Sequence, residues 1–328
     1  MSPRGNRIAI LGATSHIAKG LIRSFCLAGD LELYLLARSP ERVRDFLDAA
    51  GVASGSVRVL QLEEFESHGY DAVINCVGIG APAKLQHGLA SVFELTQRFD
   101  DMVLGHLQRN SDTLYVSLSS GAAYGTDFSE PAGEETLARF NANRIDPSEY
   151  YGIAKLHSEA KHRALARYNI ADLRVFGFFS RFIDLGEKFL LSEIVSCMKS
   201  GEEFVTGPQD IWRDFLHPDD LAALVHCLMQ QEHVNDVFDV YSAAPATKFE
   251  IIEHFAAAGL LKYRVEGEYA AFNVTGAKSR YYSENRRAEK LGYRPDLTSL
   301  QGIETEVEAI LAQQRKGPTE TKDKDYEL

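Results

Sequence analysis

The chain has 328 residues, 45% of them hydrophobic, which is enough to bury a sizeable core as one large domain or two modest ones. Its 35 Lys and Arg stand against 47 Asp and Glu, a formal net charge of -12 without a basic cluster, and this argues against nucleic acid or an anionic membrane as partner. The four cysteines, Cys26, Cys76, Cys197 and Cys227, form no C-x-x-C pair and the ten histidines show no ligand spacing, so neither a disulfide framework nor a protein-held metal is expected.

In chain order, "RIAIL" (7–11), "LELYLLA" (31–37), "VRVLQL" (57–62), "DAVINCVG" (71–78), "TLYVSLSS" (113–120) and "DLRVFGFF" (172–179) read as strands with amphipathic stretches between several of them. Runs that are apolar throughout, rather than alternating, belong to strands buried on both faces, as in a parallel sheet covered by helices. The fold class is therefore α/β, a doubly wound parallel sheet. Ser39 and Pro40 offer an N-cap and first residue for the second helix. Two long helices are predicted within 88–110 and 148–168. Past residue 180 the pattern is less regular, with helices predicted at 191–200, 218–231, 284–291 and 300–314, a smaller mixed domain. The expected division is 1–180, then 181–315 with segments free to return to the first sheet, then a polar tail at 316–328. No apolar run approaches the roughly 20 residues that span a bilayer, and "IAILGA" is too short for a signal-peptide core, so the expected location is the cytoplasm. Asn273-Val274-Thr275 is accordingly a chance sequon.

The first strand runs into "GATSHIAKG". A phosphate-binding turn of the form G-x-x-G-x-x-G would carry three glycines; here Gly12 is kept and Ser15 and Ala18 take the other places. Ala18 still permits close helix packing, the Ser15 hydroxyl is small enough to face a phosphate, and the helix N-terminus would present its amides. By itself this stretch also fits an ordinary strand, turn and helix.

The fifth strand ends on Ser119, Ser120 and Gly121, and "YGIAK" follows inside a helix, Tyr151 and Lys155 sharing one face. An ammonium beside a phenol favours phenolate, which suits acid–base work, and Ser120 can hydrogen-bond the same substrate oxygen. A surface Tyr and Lys would show the same spacing, but not after a serine-ending strand.

With these motifs in place, the chain resembles an extended short-chain dehydrogenase/reductase of the kind that acts on nucleotide sugars. "RDFLHPDDLAALV", "LRVFGFFSR" and "AEKLGYRP" match further segments of that family in order, so the resemblance covers nearly the whole chain. It implies a Rossmann-type nucleotide-binding domain at 1–180 and a mainly substrate-binding domain at 181–315. It implies Tyr151 as proton donor or acceptor, Lys155 as its electrostatic partner and ribose ligand, and Ser120 as the carbonyl-orienting hydroxyl. The dinucleotide would meet Gly12, Thr14, Ser15, His16 and Ile17 at the first turn. Leu62, Cys76, Val77, Gly78 and Phe178 would line the rest of its groove. Ser120, Gly121 and Arg213 would contact substrate, Arg213 at its diphosphate, the alternative for Arg213 being an ion pair with Asp214 or Asp219. Gly177 and Ser180 stand where the family commonly has Asn and Gly. The resemblance also implies a homodimer formed through the two long helices.

Related dehydratases carry Asp-Glu directly after the catalytic hydroxyl, and related 3,5-epimerising enzymes a cysteine two places on. Here those places are Gly121 and Ala122, neither of which can move a proton. Hydride transfer at a single carbon remains. The second strand ends at Arg38, with Arg42 one turn later, where an NAD site would have an acid, and an Arg there accommodates the 2'-phosphate. A solvated arginine pair is the plainer reading of the same residues. The resulting expectation is NADP(H), with NAD(H) the alternative, and reduction of a keto group, expected at C4, on a nucleotide-linked sugar. The competing readings are an NAD-dependent 4-epimerase and a non-catalytic NADP-binding regulatory protein.

Overall fold

The computed structural model describes residues 5–52, 56–78, 90–267 and 278–315. The sequon at Asn273, the tail 316–328 and the first residues of the long helix predicted from 88 lie outside these.

The first half alternates as the apolar runs require: β1 (Arg7–Leu11), α1 (His16–Ala28), β2 (Glu32–Ala37), α2 (Pro40–Ala49), β3 (Val57–Gln61), β4 (Ala72–Asn75), α3 (Ser91–Arg109), β5 (Leu114–Ser120), α4 (Tyr150–Ala164) and β6 (Ile170–Val175). Then come α5 (Leu190–Ser200), β7 (Glu203–Thr206), β8 (Trp212–Arg213), α6 (Pro218–Met229), β9 (Asn235–Val240), β10 (Ala246–Thr247) and α7 (Lys248–Ala257). The described chain closes with β11 (Lys262–Val265), β12 (Arg280–Tyr281) and α8 (Ser299–Arg315). Seven strands form one parallel sheet in the order β3-β2-β1-β4-β5-β6-β9. The order reverses direction at β1 and β4, so the crevice beyond their C-terminal ends is where an open α/β sheet takes its ligand.

Alternation of the strands explains their unbroken apolar character. Ile8 and Ile10 face Leu21, Phe25, Val43 and Leu224 on one side, while Ala9 and Leu11 face Phe99, Val103 and Leu107 on the other. A third core, around Ile194, Phe204, Ile251, Phe255 and Val307, holds the C-terminal unit, with small sheets β10-β8-β12 and β11-β7. Among the described residues no helix is long and apolar enough to cross a membrane.

Several expectations are corrected. β9, which joins the central sheet from beyond residue 180, was not among the predicted strands; its run "NDVFDV" carries two aspartates and lacks the unbroken apolar signal. The helix expected at 284–291 is a 3-10 turn, Arg287–Leu291. Ser283 Oγ accepts from the Asn285 amide and Asn285 Oδ1 from that of Arg287, local bonds that compete with a regular helix. Ser39 stands at the N-cap of α2 with Pro40 in the first turn, but its side chain makes no capping bond. The strand expected to reach Phe179 stops at Val175, because the chain there turns to pair with Leu216: the Leu216 amide donates to Gly177 O at 3.0 Å. A Cβ on Gly177 would lie 2.5 Å from the Asp214 carbonyl oxygen, which accounts for glycine where the family commonly has Asn.

Candidate active site

The turn after β1 is built around Gly12, at φ +72°, a left-handed conformation that glycine adopts without cost. A Cβ there would lie 2.9 Å from Val77 Cγ2 and 3.2 Å from the Val77 amide nitrogen, so the glycine also lets the β1 and β4 ends approach. The amides of Gly12 and Ala13 both donate to Leu36 O, at 3.0 and 3.2 Å, tying the turn to β2. Ser15 is turned back as the N-cap of α1, its Oγ accepting from the Ala18 amide at 3.3 Å. His16 and Ile17, after Thr14 and Ser15, are the first residues of α1. Ala18 is fully buried, yet the closest approach lies two residues on: a Cβ on Gly20 would meet Phe178 at 2.8 Å and Pro218 at 3.0 Å. Phe178 also packs edge-on against His16, ring centroids 5.0 Å apart. The residues present thus fit a dinucleotide: a cradle that only glycine fills, a helix N-terminus aimed at it, and an aromatic wall.

The far side of the groove is formed by the residues after β4. Cys76 is buried, which pushes its thiol up to about 12 against the opposing charge of Lys155, so it is a neutral wall. A Cβ on Gly78 would lie 3.9 Å from Lys155 Nζ, so the two segments meet. Leu62 follows β3, half-buried against the apolar cluster of Ala9 and Leu11, and Arg38 is exposed just beyond β2.

Ser120, the last residue of β5, accepts from the Ala122 amide at 3.2 Å, which bends the chain into the 3-10 turn Gly121–Tyr124. Helix α4 lies directly on this turn because Gly152, between Tyr151 and Lys155, has no side chain: a Cβ there would be 2.1 Å from the Ala122 carbonyl oxygen. Lys155, buried, donates from Nζ to Leu118 O at 2.8 Å and lies 5.7 Å from the Tyr151 ring centroid. Ser119 Oγ donates to Glu159, which also takes Arg174, so α4 is fixed to β5 and β6. Gly121 has no room for the acid that dehydratases carry there, since a Cβ would lie 2.4 Å from the Phe176 ring.

A second hydroxyl, unmarked by any motif, lies beside Ser120. Tyr281, on β12, places its Oη 3.3 Å from Ser120 Oγ and is near enough to Tyr151 for charge on one phenol to affect the other. Burial pushes its phenol well up, so it stays a neutral hydroxyl. No motif marks "SRYYS"; the pairing of β12 with β8 and backbone bonds to Phe128 and Ala132 bring it in. Arg213, on β8, is buried at 6% exposure beneath this ring, its guanidinium carbon 6.0 Å from the centroid. It donates to the carbonyls of Trp212 at 2.7 Å and Lys278 at 2.9 Å. The carboxylates named as its alternative partners are engaged elsewhere: Asp214 takes Ser242 and Ser299, and Asp219 takes Ser24.

Behind Lys155 a polar cavity reaches Asn75, Tyr115 and Asp100. Asn75 Nδ2 donates to Tyr115 Oη, and Tyr115 Oη to Asp100. Asp100 Oδ1 lies 2.7 Å from His162 Nε2, and His162 Nδ1 lies 2.8 Å from Asp172 Oδ1. Lys161 pairs with Asp100 and Arg163 with Asp172 at its ends. Among the described residues no cluster of three or more His, Cys, Asp or Glu could hold a metal ion.

Fold and site together define a dinucleotide-binding α/β protein with a Ser-Tyr-Lys arrangement at the C-terminal edge of its sheet. The sequence model of the NAD dependent epimerase/dehydratase family matches residues 8–244, and the chain belongs to that family. Among curated proteins none matches it significantly. Solved structures with the same fold include the UDP-glucose-4-epimerase of Stenotrophomonas maltophila with bound NAD and formylated UDP-arabinopyranose, at TM-score 0.76 and 16% identity over 95% of this chain and 100% of that one. The UDP-glucose 4-epimerase of Bifidobacterium longum, in complex with NAD+ and UDP, gives 0.73 and 19% over 95% and 100%. The dTDP-glucose 4,6-dehydratase of Bacillus anthracis, in complex with NAD, gives 0.73 and 13% over 95% and 98%.

Proposed function

We propose that the protein uses NADPH to reduce a keto group, at C4, of a nucleotide-linked sugar. The dinucleotide supplies the hydride when bound. Tyr151 gives the proton to the carbonyl oxygen, Lys155 favours the phenolate left behind, and Ser120 orients the oxygen with its hydroxyl. Tyr281, neutral beside Ser120, adds a second donor on that side. Arg213 faces the substrate's diphosphate, and α3 and α4 are the helices by which two copies would pair.

The observation that carries the reduction reading is the end of β2. It bears exposed Arg38, with exposed Arg42 in the first turn of α2, where an NAD site would present a carboxylate to the ribose hydroxyls. Lys19 adds a third cation there: burial lowers its pKa, and the charge of Arg42 lowers it further against that of Asp184. Three cations at this point suit a 2'-phosphate.

A second reading, 4-epimerisation, shares every catalytic residue and is favoured by the NAD bound in both 4-epimerases named above. One experiment separates them. A reductase exchanges its dinucleotide every turnover, purifies with little of it bound, prefers NADPH over NADH, and oxidises NADPH in step with alcohol formed from a 4-keto nucleotide sugar. Arg38→Asp should then shift preference toward NADH. Tightly bound NAD, with a 4-hydroxy sugar interconverted and no change in free cofactor absorbance, would establish the epimerase. Absence of any turnover with such sugars, alongside NADP binding, would favour the regulatory protein.

A further inference from the structure

Ser119, Arg174 and Asp239 stand side by side across three neighbouring strands, β5, β6 and β9, one position before Ser120. Helix α4 lays Glu159, 3% exposed, on this row. Ser119 Oγ donates to Glu159 Oε1 at 2.5 Å, and Arg174 takes both carboxylate oxygens, Nε to Oε1 at 3.0 Å and Nη2 to Oε2 at 2.6 Å. The guanidinium carbon also lies 4.4 Å from the Tyr124 ring centroid, and Nη1 lies 3.6 Å from Asp239 Oδ1. Asp239 in turn accepts from Tyr124 Oη at 2.9 Å and from Ser283 Oγ at 2.6 Å. Tyr151, Lys155 and Glu159 follow one another at intervals of four on α4, so the carboxylate stands on the side of the helix that bears the acid–base pair.

We infer that Glu159 and Arg174 are a charge-balanced pair of positioning residues: Glu159 ties α4 to the strand end that bears Ser120, and Arg174 cancels the charge of that tie at Tyr151. This rests on Tyr151 and Lys155 as the acid–base pair, whatever the sugar. An ionised acceptor makes the stronger bond to Ser119, which favours a carboxylate over a neutral group in this place. A lone buried carboxylate two turns from Tyr151, about 12 Å along the axis, would however oppose the ammonium of Lys155 and disfavour phenolate. A bidentate guanidinium resolves the conflict, because it keeps the tie ionised and removes most of its field. Burial alone would lower the pKa of Arg174, but its hydrogen bonds to Glu159 and the charge of that carboxylate outweigh burial and raise it. The other charged or titratable groups here are Arg163 on α4 and Asp239 on β9, which feel Glu159, and Tyr281 on β12, which feels Tyr151. Each has a partner of its own: Arg163 takes Asp172, Asp239 the two hydroxyls, and Tyr281 Ser120.

The test follows the ionisation of Tyr151 by NMR in full-length protein with ring-labelled tyrosine, the resonance assigned by its loss in Tyr151→Phe, alongside thermal melts. Arg174→Met leaves Glu159 uncompensated, and the Tyr151 midpoint should rise by about one pH unit, the effect of one charge over that distance at an effective dielectric constant of about 20. Glu159→Gln leaves the guanidinium uncompensated instead, and the midpoint should fall by a similar amount. The double variant restores the wild-type sum of charges, so its midpoint should return to that of wild type. Arg174→Lys keeps the charge without the fork and should also hold the midpoint. Arg174→Met strands a buried charge, and where that prevents folding the opposite behaviour of Glu159→Gln and the double variant decides the matter. Lower melting temperatures with one unchanged midpoint in every folded variant would overturn the proposal and make the pair a structural tie. Failure of the wild type to turn over any nucleotide sugar would remove the sugar reading alone, since the titration needs no substrate.

Discussion

Ser120 and Tyr281 bring their hydroxyls to 3.3 Å although 161 positions separate them in the chain. One ends a strand of the central sheet and the other lies in a small sheet of the C-terminal unit. Ser120 is therefore held from the central sheet and from the C-terminal unit. Tyr281→Phe should lower kcat by about threefold to tenfold, the worth of one net hydrogen bond of about 1 kcal/mol, because the Ala122 amide still holds Ser120. The ring remains in its aromatic cluster, so the melting temperature should hardly move. Wild-type kcat in the variant would confine Tyr281 to packing.

Tyr151 stands on the face of α4 that Lys155 shares, next to the turn that Ser120 begins. Tyr151→Phe should reduce turnover by about 10²- to 10⁴-fold, the range of a positioned general acid or base, with folding and dinucleotide affinity retained. Circular dichroism and a binding titration check the second half. Near-normal turnover would remove Tyr151 from the mechanism.

Gly152 tests whether the seating of α4 sets the geometry. Gly152→Ala would force its methyl against the backbone carbonyl of Ala122, where no flexible side chain can yield. Such overpacking costs about 1–3 kcal/mol. A shift of the helix by even a fraction of an ångström moves Tyr151 and Lys155 together, so kcat should fall further than stability alone explains. Thermal melts and steady-state rates on the same preparation measure both, and an unchanged melting temperature would contradict the contact.

The pH dependence of stability follows from His162. Burial alone would lower its pKa, but hydrogen bonds and charge from Asp100 on α3 and Asp172 on β6 outweigh it and raise it to about 9. Tyr115 on β5 and the cations Lys161 and Arg163 on α4 complete the surroundings. A group whose folded pKa exceeds its unfolded value of about 6.5 stabilises the fold fully below that value, and the contribution disappears as pH rises through the folded one. Stability from this source, on the order of 3 kcal/mol, should therefore be lost between about pH 6.5 and 9. Urea unfolding midpoints across that range, with the imidazole titration followed by NMR, would show it. An imidazole titrating near 6.5 in the folded protein would refute the assignment.

Local chemistry made much of this protein legible from its sequence. The unbroken apolar runs dictate strands buried on both faces, the spacing of Tyr151 and Lys155 dictates a shared helix face, and Gly12 marks a turn that needs a left-handed backbone. Each depends on residues within a few positions of one another. Order in the sheet, by contrast, is decided by which surfaces can be buried together. That order sends "NDVFDV" beside β6, although its own pattern does not announce a strand. The buried row Asp100, His162 and Asp172 reads as three polar residues on three amphipathic or apolar stretches, and becomes an ion network only where α3, α4 and β6 pack. Tyr281 reaches Ser120 because β12 pairs with β8 and bonds to the backbone at Phe128 and Ala132. Distances across 65 and 161 positions are fixed by tertiary packing, and no periodicity within either segment encodes them.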